Sequence, residues 1–347
     1  MVIAADSPMT PLRQLLVLAS LGILPALHAQ SFTVDAANRP GTDYTSIVAA
    51  VQAVPSGSVL RIRDGVYSPF TIAGKSLRLL AEANVRVLQP LHGGGIAITG
   101  IAAHQTVVLR GMLVASANNT PAPVAIVCSN ARGPILLDNL IPGQGGILSL
   151  RTTDCDQVLV RGGAGWRTME FSRSHAVVEG CSVSGIGWVT VGMPSVAVAQ
   201  GSLQWIDSTV EGSVTLTGTS VSTIQLTQGE LRLLGTSRVR NALAPYCISG
   251  SGSVRFDPAV EVTRPGATGV AAIDPALLPV LTPMPKLTVS VTATAANVRL
   301  VGRAGDLALV ALSLPGPRFR LPGFGDAFWI DAAVPGPLAF GVIGSTP

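Results

Sequence analysis

From Leu77 to Leu234 the chain supplies one short β-rich run after another, among them SLRLLAE, VRVLQP, GIAITG, TVVLRGMLVA, VAIVCS, QVLVRGG, HAVVEGCSV and SLQWIDS, each broken by Gly, Asn, Asp or Ser. Between these runs stand neither Asn-Gly hairpin turns nor the amphipathic helices that carry a chain across a parallel sheet. A hairpin meander and a doubly wound α/β sheet are both disfavoured. A parallel sheet without helices has one common solution: the chain coils, and each turn lays its strands on those of the turn before.

Weak repeats agree with a coil. The runs ILLDN, QVLVRG and AVVEG share an apolar pair followed by a polar residue, and the pairs Leu136-Leu137, Leu159-Val160 and Val177-Val178 lie 23 and then 18 residues apart. Such spacings belong to solenoid repeats. Composition fits as well, with 48% hydrophobic residues, only 4% aromatic and 38 Gly. A narrow stacked core takes ladders of Val, Ile, Leu, Ala and Ser, and has little room for rings.

One amphipathic helix is expected ahead of the coils. In DYTSIVAAVQAVPSG, residues 43 to 57, Ile47, Ala50, Val51 and Val54 fall on one helical face, Asp43 offers an N-cap oxygen, and Pro-Ser-Gly stops the helix. Leu60 and Ile62 then alternate with Arg61 and Arg63 in a half-buried strand before an Asp-Gly turn. The helix has a job in this architecture. The first coil has no neighbour beneath it, so its apolar end needs a lid.

Residues 43 to 82 resemble the N-terminal cap and first coil of right-handed parallel β-helix proteins of the pectin lyase-like superfamily, including pectin methylesterases. The match runs through Tyr44, Ile47, Ala50, the Pro-x-Gly stop, Gly65-Val66-Tyr67 and Lys75. It implies the fold, an all-β right-handed parallel β-helix with a helical N-terminal cap; chemistry is separable from fold.

Ahead of the cap, Leu15 to Leu24 form an apolar run after one Arg and before a small-residue end at Ala29, which predicts an exported protein with a signal peptide over residues 1–29. The expected organisation is then a β-helix over 30–257, a Pro-rich linker or strap over 258–285, and a small C-terminal β module over 286–347. That module has 62 residues, too few for a comfortable core of its own, so either docking on the solenoid or an incomplete module is expected. No membrane span is expected after signal cleavage. The oligomeric state is left open, with self-assembly through an uncapped coil end as one outcome.

A net charge of +4 comes from Arg residues scattered singly, with Lys only at positions 75 and 286. That pattern lacks the basic patch and interleaved aromatics of a nucleic-acid binder. The four cysteines, Cys128, Cys155, Cys181 and Cys247, suit either one or two disulfides, in any of three connectivities, or burial as small hydrophobes. They show no zinc spacing.

Candidate chemistry centres on one alignment. With the apolar pairs superposed, Asp138, Arg161 and Glu179 share a position on consecutive turns, Asp207 continues the series, and the Arg stands between two carboxylates. The preferred reading is a surface ion-pair ladder; the other is an acid–base and uronate-binding strip. Asp154 and Asp156 join these as the best acids for a polysaccharide lyase, the one activity for which calcium would be the cofactor. In pectin methylesterases a nucleophilic Asp stands where GSLQWIDS has Gln204, and an amide cannot form the acyl-enzyme intermediate. The paired-carboxylate signatures of glycosidases of this fold are missing.

Other candidates are weaker. His92, His104 and His175 are too dispersed for a metal cluster, the HGGG run at 92 to 95 has no Gly-x-Ser-x-Gly partner, and the glycines of GQGG and GGAGW suit turns. Trp166, Trp188, Trp205 and Trp329 would stack on sugars if exposed and plug the solenoid if buried; burial is expected. The sequence therefore points to an exported β-helix with no cofactor and a non-catalytic surface, adhesion or carbohydrate-contacting role, a polysaccharide or the cell envelope being its partner. The alternative is a divergent polysaccharide lyase or pectin esterase. A cleft of convergent polar groups would favour catalysis, and a flat Thr/Ser/Val face the structural role.

Overall fold

The computed structural model describes residues 29–89, 95–116, 126–142, 148–185, 193–212 and 221–281, together with the backbone of six strands between Lys286 and Val342. The chain divides into two units, Met1–Gln30 and Ser31–Pro347. Within the second unit the chain winds into a parallel β-solenoid of about eight turns. No helix among the described residues is long and apolar enough to cross a membrane.

Each turn has three faces. The first face stacks Ser58–Ile62, Leu77–Ala81, Val107–Arg110, Ile135–Asp138, Val158–Arg161, His175–Glu179 and Ser202–Ile206, all parallel and in register. Alternation decides what each strand buries. Leu60/Ile62, Leu77/Leu79, Val107/Leu109, Ile135/Leu137, Val158/Val160 and Leu203/Trp205 all point inward and are essentially inaccessible. The apolar pairs of the repeats are indeed stacked, Leu136 on Leu159 and Leu159 on Val177.

The second face is shorter, with Gly65–Tyr67, Val85–Gln89, Leu113–Ser116 and Ile141–Pro142 in one sheet, and Ser182–Ser184, Thr209–Glu211, Arg238–Arg240 and Glu261–Arg264 stacked further along. The third face stacks Thr71–Ala73, Ile96–Thr99, Ile126–Ala131, Leu148–Cys155, Trp166–Ser172 and Val196–Ala199, followed by the leading halves of Ile224–Leu234 and Ile248–Phe256.

Left-handed residues make two of the corners. Where the third face ends, Gly74, Gly100, Asn130, Asp154, Arg173, Gln200 and Gln228 all have φ between 46° and 65°. Where the first face ends, Gly111, Asn139, Gly162, Gly180, Asp207 and Gly235 have φ between 47° and 75°. A single left-handed residue redirects the strand without a loop, which is why Gly, Asn and Asp punctuate the sequence. Arg and Gln in that conformation carry a steric cost that the ladder on both sides must offset.

The N-terminal end is closed as expected, with one correction. The helix Ile47–Ala53 buries Ile47, Ala50 and Val51 against the first coil, but its N-cap is Ser46, whose side chain accepts from the Ala49 N–H at 3.5 Å. Asp43 is instead paired with the preceding strand, accepting from the Thr33 N–H at 2.7 Å. The bridge between Val34 and Tyr44 holds that stretch extended and delays the helix. At the other end of the helix, the Lys75 ammonium donates to the carbonyls of Val51 at 2.9 Å, Gln52 at 3.4 Å and Val54 at 3.1 Å.

Coiling does not stop at Asp257. Glu261–Arg264 pairs with Arg238–Arg240, Val280–Leu281 pairs with Arg255–Phe256, and the short 3-10 turns Gly269–Ala272 and Pro275–Leu277 lie between them. Beyond lie three antiparallel two-stranded ladders, Lys286–Val291 with Ala296–Val301, Leu307–Ala311 with Leu338–Val342, and Pro315–Arg320 with Ala327–Ile330.

Candidate functional site

The ladder expected from the repeats exists and is longer at one end and shorter at the other. On the outer row of the first face Arg110, Asp138, Arg161 and Glu179 stack in register on four consecutive turns. Ile206 follows Glu179, and Asp207 is one residue further on, in the corner column. There its carboxylate accepts from the Thr236 N–H at 2.7 Å and from its hydroxyl at 3.0 Å. The apolar pair of that turn is Leu203 and Trp205, separated by Gln204, so aligning on adjacent apolar residues shifts the turn by one.

Nor does Arg161 share itself between two carboxylates. Its Nε lies 3.0 Å from Glu179 Oε2, while Asp138 is taken by Arg110 at 3.2 Å. The row resolves into two separate pairs, each Arg reaching forward by one turn. The repeats do not single out Arg110, although VVLR carries the same signature as VLVR two ladder positions away.

Asp154 lies on a different edge. It occupies the third-face corner, where Arg173 of the next turn grips it with two hydrogen bonds, at 2.6 and 2.8 Å. This guanidinium holds the Asp154 carboxyl below its ordinary range, against a small opposing effect of burial. Arg173 follows no strand pattern, and only its left-handed position on the stack brings it to Asp154. Along the same face Arg151 pairs with Glu170 at 2.7 Å. Asp156 is exposed just past the corner, its backbone N–H bound to the Ala131 carbonyl at 2.8 Å.

These acids therefore do not converge. Asp138 and Glu179 line one face, Asp154 a corner of another, and no group of three His, Cys, Asp or Glu among the described residues is placed to hold a metal ion. Calcium needs six to eight oxygens around one point, and the described residues do not gather them.

Beside the ladder is a shallow depression of about 510 Å³ lined by Asn139, Gly163, Gly180, Ser182, Asp207 and Thr209, among others. Cys181 borders it too, but burial pushes its thiol up to about 12, and its sulfur donates to the Gly162 carbonyl at 3.1 Å. All four cysteines are buried and unpaired, so the second of the two sequence expectations applies. Burial also raises the thiols of Cys128, Cys155 and, to about 11, Cys247, which disfavours the thiolate at each.

The third face carries a second regular feature. Thr99, Ser129, Thr153, Ser172, Ala199, Thr227 and Ser251 form its outer row beside the corner, half-exposed or exposed, with the Ser129 hydroxyl donating to Thr99 at 3.1 Å. Gln204 stands on the outer row of the first face between Val177 and Arg232. His175 contacts the Ser202 hydroxyl at 2.7 Å, and His104 sits in an exposed turn. Trp166 and Trp205 are wholly buried plugs. His92, Trp188, the GQGG run and the Trp329 side chain lie outside the described residues.

No protein-family model matches the chain, and no curated protein matches it. Among solved structures the chain is similar to a pectin methylesterase in complex with a hexasaccharide, at 12% identity over 70% of this chain and 91% of that one, with a TM-score of 0.29. At that score the likeness adds nothing to what the parallel ladders themselves establish, and they establish a β-helix.

Proposed function

We propose that this chain is an exported, non-catalytic β-helix that contacts polysaccharide at a cell envelope or extracellular surface. The observation that carries the reading is the state of the acids: Asp138, Asp154 and Glu179 are each neutralised by an arginine of a neighbouring turn, at 3.2, 2.6 and 3.0 Å. Acid–base catalysis needs carboxyls whose environments push their pKa values apart around one bond. Here each is engaged separately, and Asp154 is held down. The outer row of Ser and Thr hydroxyls on the third face, about 4.8 Å apart, offers a flat polar track to a hydroxyl-rich polymer. Arg151 and Arg173 flank that track, each about half exposed, and a guanidinium has five N–H donors, of which the carboxylate partner takes one at Arg151 and two at Arg173.

A second reading, a divergent lyase or esterase, draws on the depression beside Arg161 and Glu179. Both are tested together. Purified protein is offered polygalacturonate, methyl-esterified pectin and alginate, with and without calcium, alongside an Arg161→Ala, Glu179→Ala variant and an Arg151→Ala, Arg173→Ala variant. The expected result is no turnover by any of them, and retention on an acidic polymer that weakens about tenfold in the second variant. Turnover that vanishes in the first variant would overturn the non-catalytic reading in favour of the enzyme.

A further inference from the structure

The two ends of the solenoid are unlike. The N-terminal end is closed by the helix Ile47–Ala53, whose apolar side is buried. At the C-terminal end Val270, Leu278, Val280 and Leu281 are 51%, 78%, 50% and 52% exposed, within twelve consecutive residues. Val270, Leu278 and Val280 line a depression of about 690 Å³ whose other walls include Tyr246, Arg264 and Ile273. Contiguous apolar exposure of this kind marks a contact surface.

Backbone geometry there is specific. Leu278 follows the 3-10 turn Pro275–Leu277 in the left-handed conformation, φ 46°, which a side chain disfavours. The most exposed of these four side chains is thus held out by a strained residue whose N–H is bound to the Pro275 carbonyl at 3.1 Å. The strand Val280–Leu281 pairs along one edge with Arg255–Phe256 and, among the described residues, has no strand on its other edge. An open edge beside an apolar patch is incomplete twice over.

The chain leaves the solenoid at this patch. Four residues separate Leu281 from Lys286, so the first strand beyond starts within about 18 Å of it. That strand and the five after it form three separate two-stranded ladders, and a lone two-stranded ladder does not stand in water without a surface to cover it. Their sequences, KLTVSV, ANVRLV, LALVA, AFWI and LAFGV among them, are rich in Val, Leu and aromatic residues.

We infer that the strands between Lys286 and Val342 dock on the apolar C-terminal end of the solenoid and serve as its second cap. The short tether decides the occupant. A segment four residues away is present at an effective concentration on the order of millimolar, which a second copy of the chain at micromolar concentration does not match.

The test uses the full chain and a Leu278→Asp, Val280→Asp variant, with a Leu278→Gly variant that keeps the left-handed turn and removes only the side chain. Amide hydrogen exchange is followed by mass spectrometry in peptides from 286–342 and, as the control for folding, in coils between 58 and 234. Docking predicts that the terminal strands are protected in the wild type and lose about tenfold or more of that protection in the Asp variant, less in the Gly variant, while the coils are unchanged. Equal protection in all three proteins overturns the proposal, as does a lack of protection in the wild type. A wild-type dimer that the Asp variant dissolves, seen by light scattering, also overturns it and makes the occupant a second copy.

Discussion

At the scale of single residues, this protein's candidate chemistry is dominated by groups that have already found partners. Two tryptophans make the point from the opposite side. Trp166 and Trp205 are both fully buried, but the indole N–H of Trp205 donates to the Ser208 carbonyl at 3.0 Å, while that of Trp166 meets no acceptor among the described residues. Replacing either by Phe removes comparable apolar area, yet only Trp205→Phe also breaks a bond. Trp166→Phe should therefore cost about 1 kcal/mol less than Trp205→Phe in urea unfolding at neutral pH. Equal costs would mean that the Trp166 N–H is satisfied by an ordered water.

The element that most repays a test is the helix Ile47–Ala53, because seven residues cannot stand alone and depend on packing and caps. Its N-cap bond from Ala49 to Ser46 is long at 3.5 Å, whereas Lys75 reaches three carbonyls at the far end, the shortest contact being 2.9 Å. A cation at that end also meets the negative pole of the helix. Lys75→Met is expected to lower stability by about 1–2 kcal/mol and Ser46→Ala by about 0.5 kcal/mol, measured by chemical denaturation. The reverse order would show that the Ser46 bond tightens in solution and that Lys75 is a bystander.

Across the whole molecule the ends differ in what closes them, and acid should tell them apart. Asp35, fully buried, accepts from Arg39 at 2.6 Å, from Arg63 at 3.3 Å and from the N–H groups of Ala37 and Arg39. Arg39 also reaches Asp64, so this one carboxylate ties the first strand to the first coil. The Arg39 guanidinium, against the opposing effect of burial, holds its carboxyl well below the usual range. A depressed folded-state pKa gives stability that is complete above the unfolded value, near 4, and is lost as pH falls toward the folded one. Asp35→Asn should accordingly be less stable than wild type at pH 7, with the gap narrowing by pH 3. A gap that does not change with pH would show that the carboxylate's charge contributes nothing. Protection factors of amides near residues 31–67, corrected for the pH dependence of intrinsic exchange, should fall first on acidification.

Much of this architecture was legible in the sequence because alternation and punctuation are local. The run of strands, the lone helix and the stacking of Leu136, Leu159 and Val177 follow from period-two patterns and from Gly or Asn at corners. Asp138, Arg161 and Glu179 were placed in one row for the same reason. What lay beyond the sequence was anything that depends on register to one residue or on contacts across turns. Turn lengths vary, so Asp207 stands off the row and no fixed spacing points to Arg110. Arg173 reaches Asp154 only because a left-handed corner repeats from turn to turn, and no local pattern announces a left-handed arginine. The choice of Ser46 over Asp43 was made by a strand bridge ten residues from its partner. Sequence by itself determined which residues face inward, since burying apolar side chains is a decision each strand makes alone. Tertiary structure alone decided which charges meet, because in a solenoid the neighbour of every outward side chain comes from another turn.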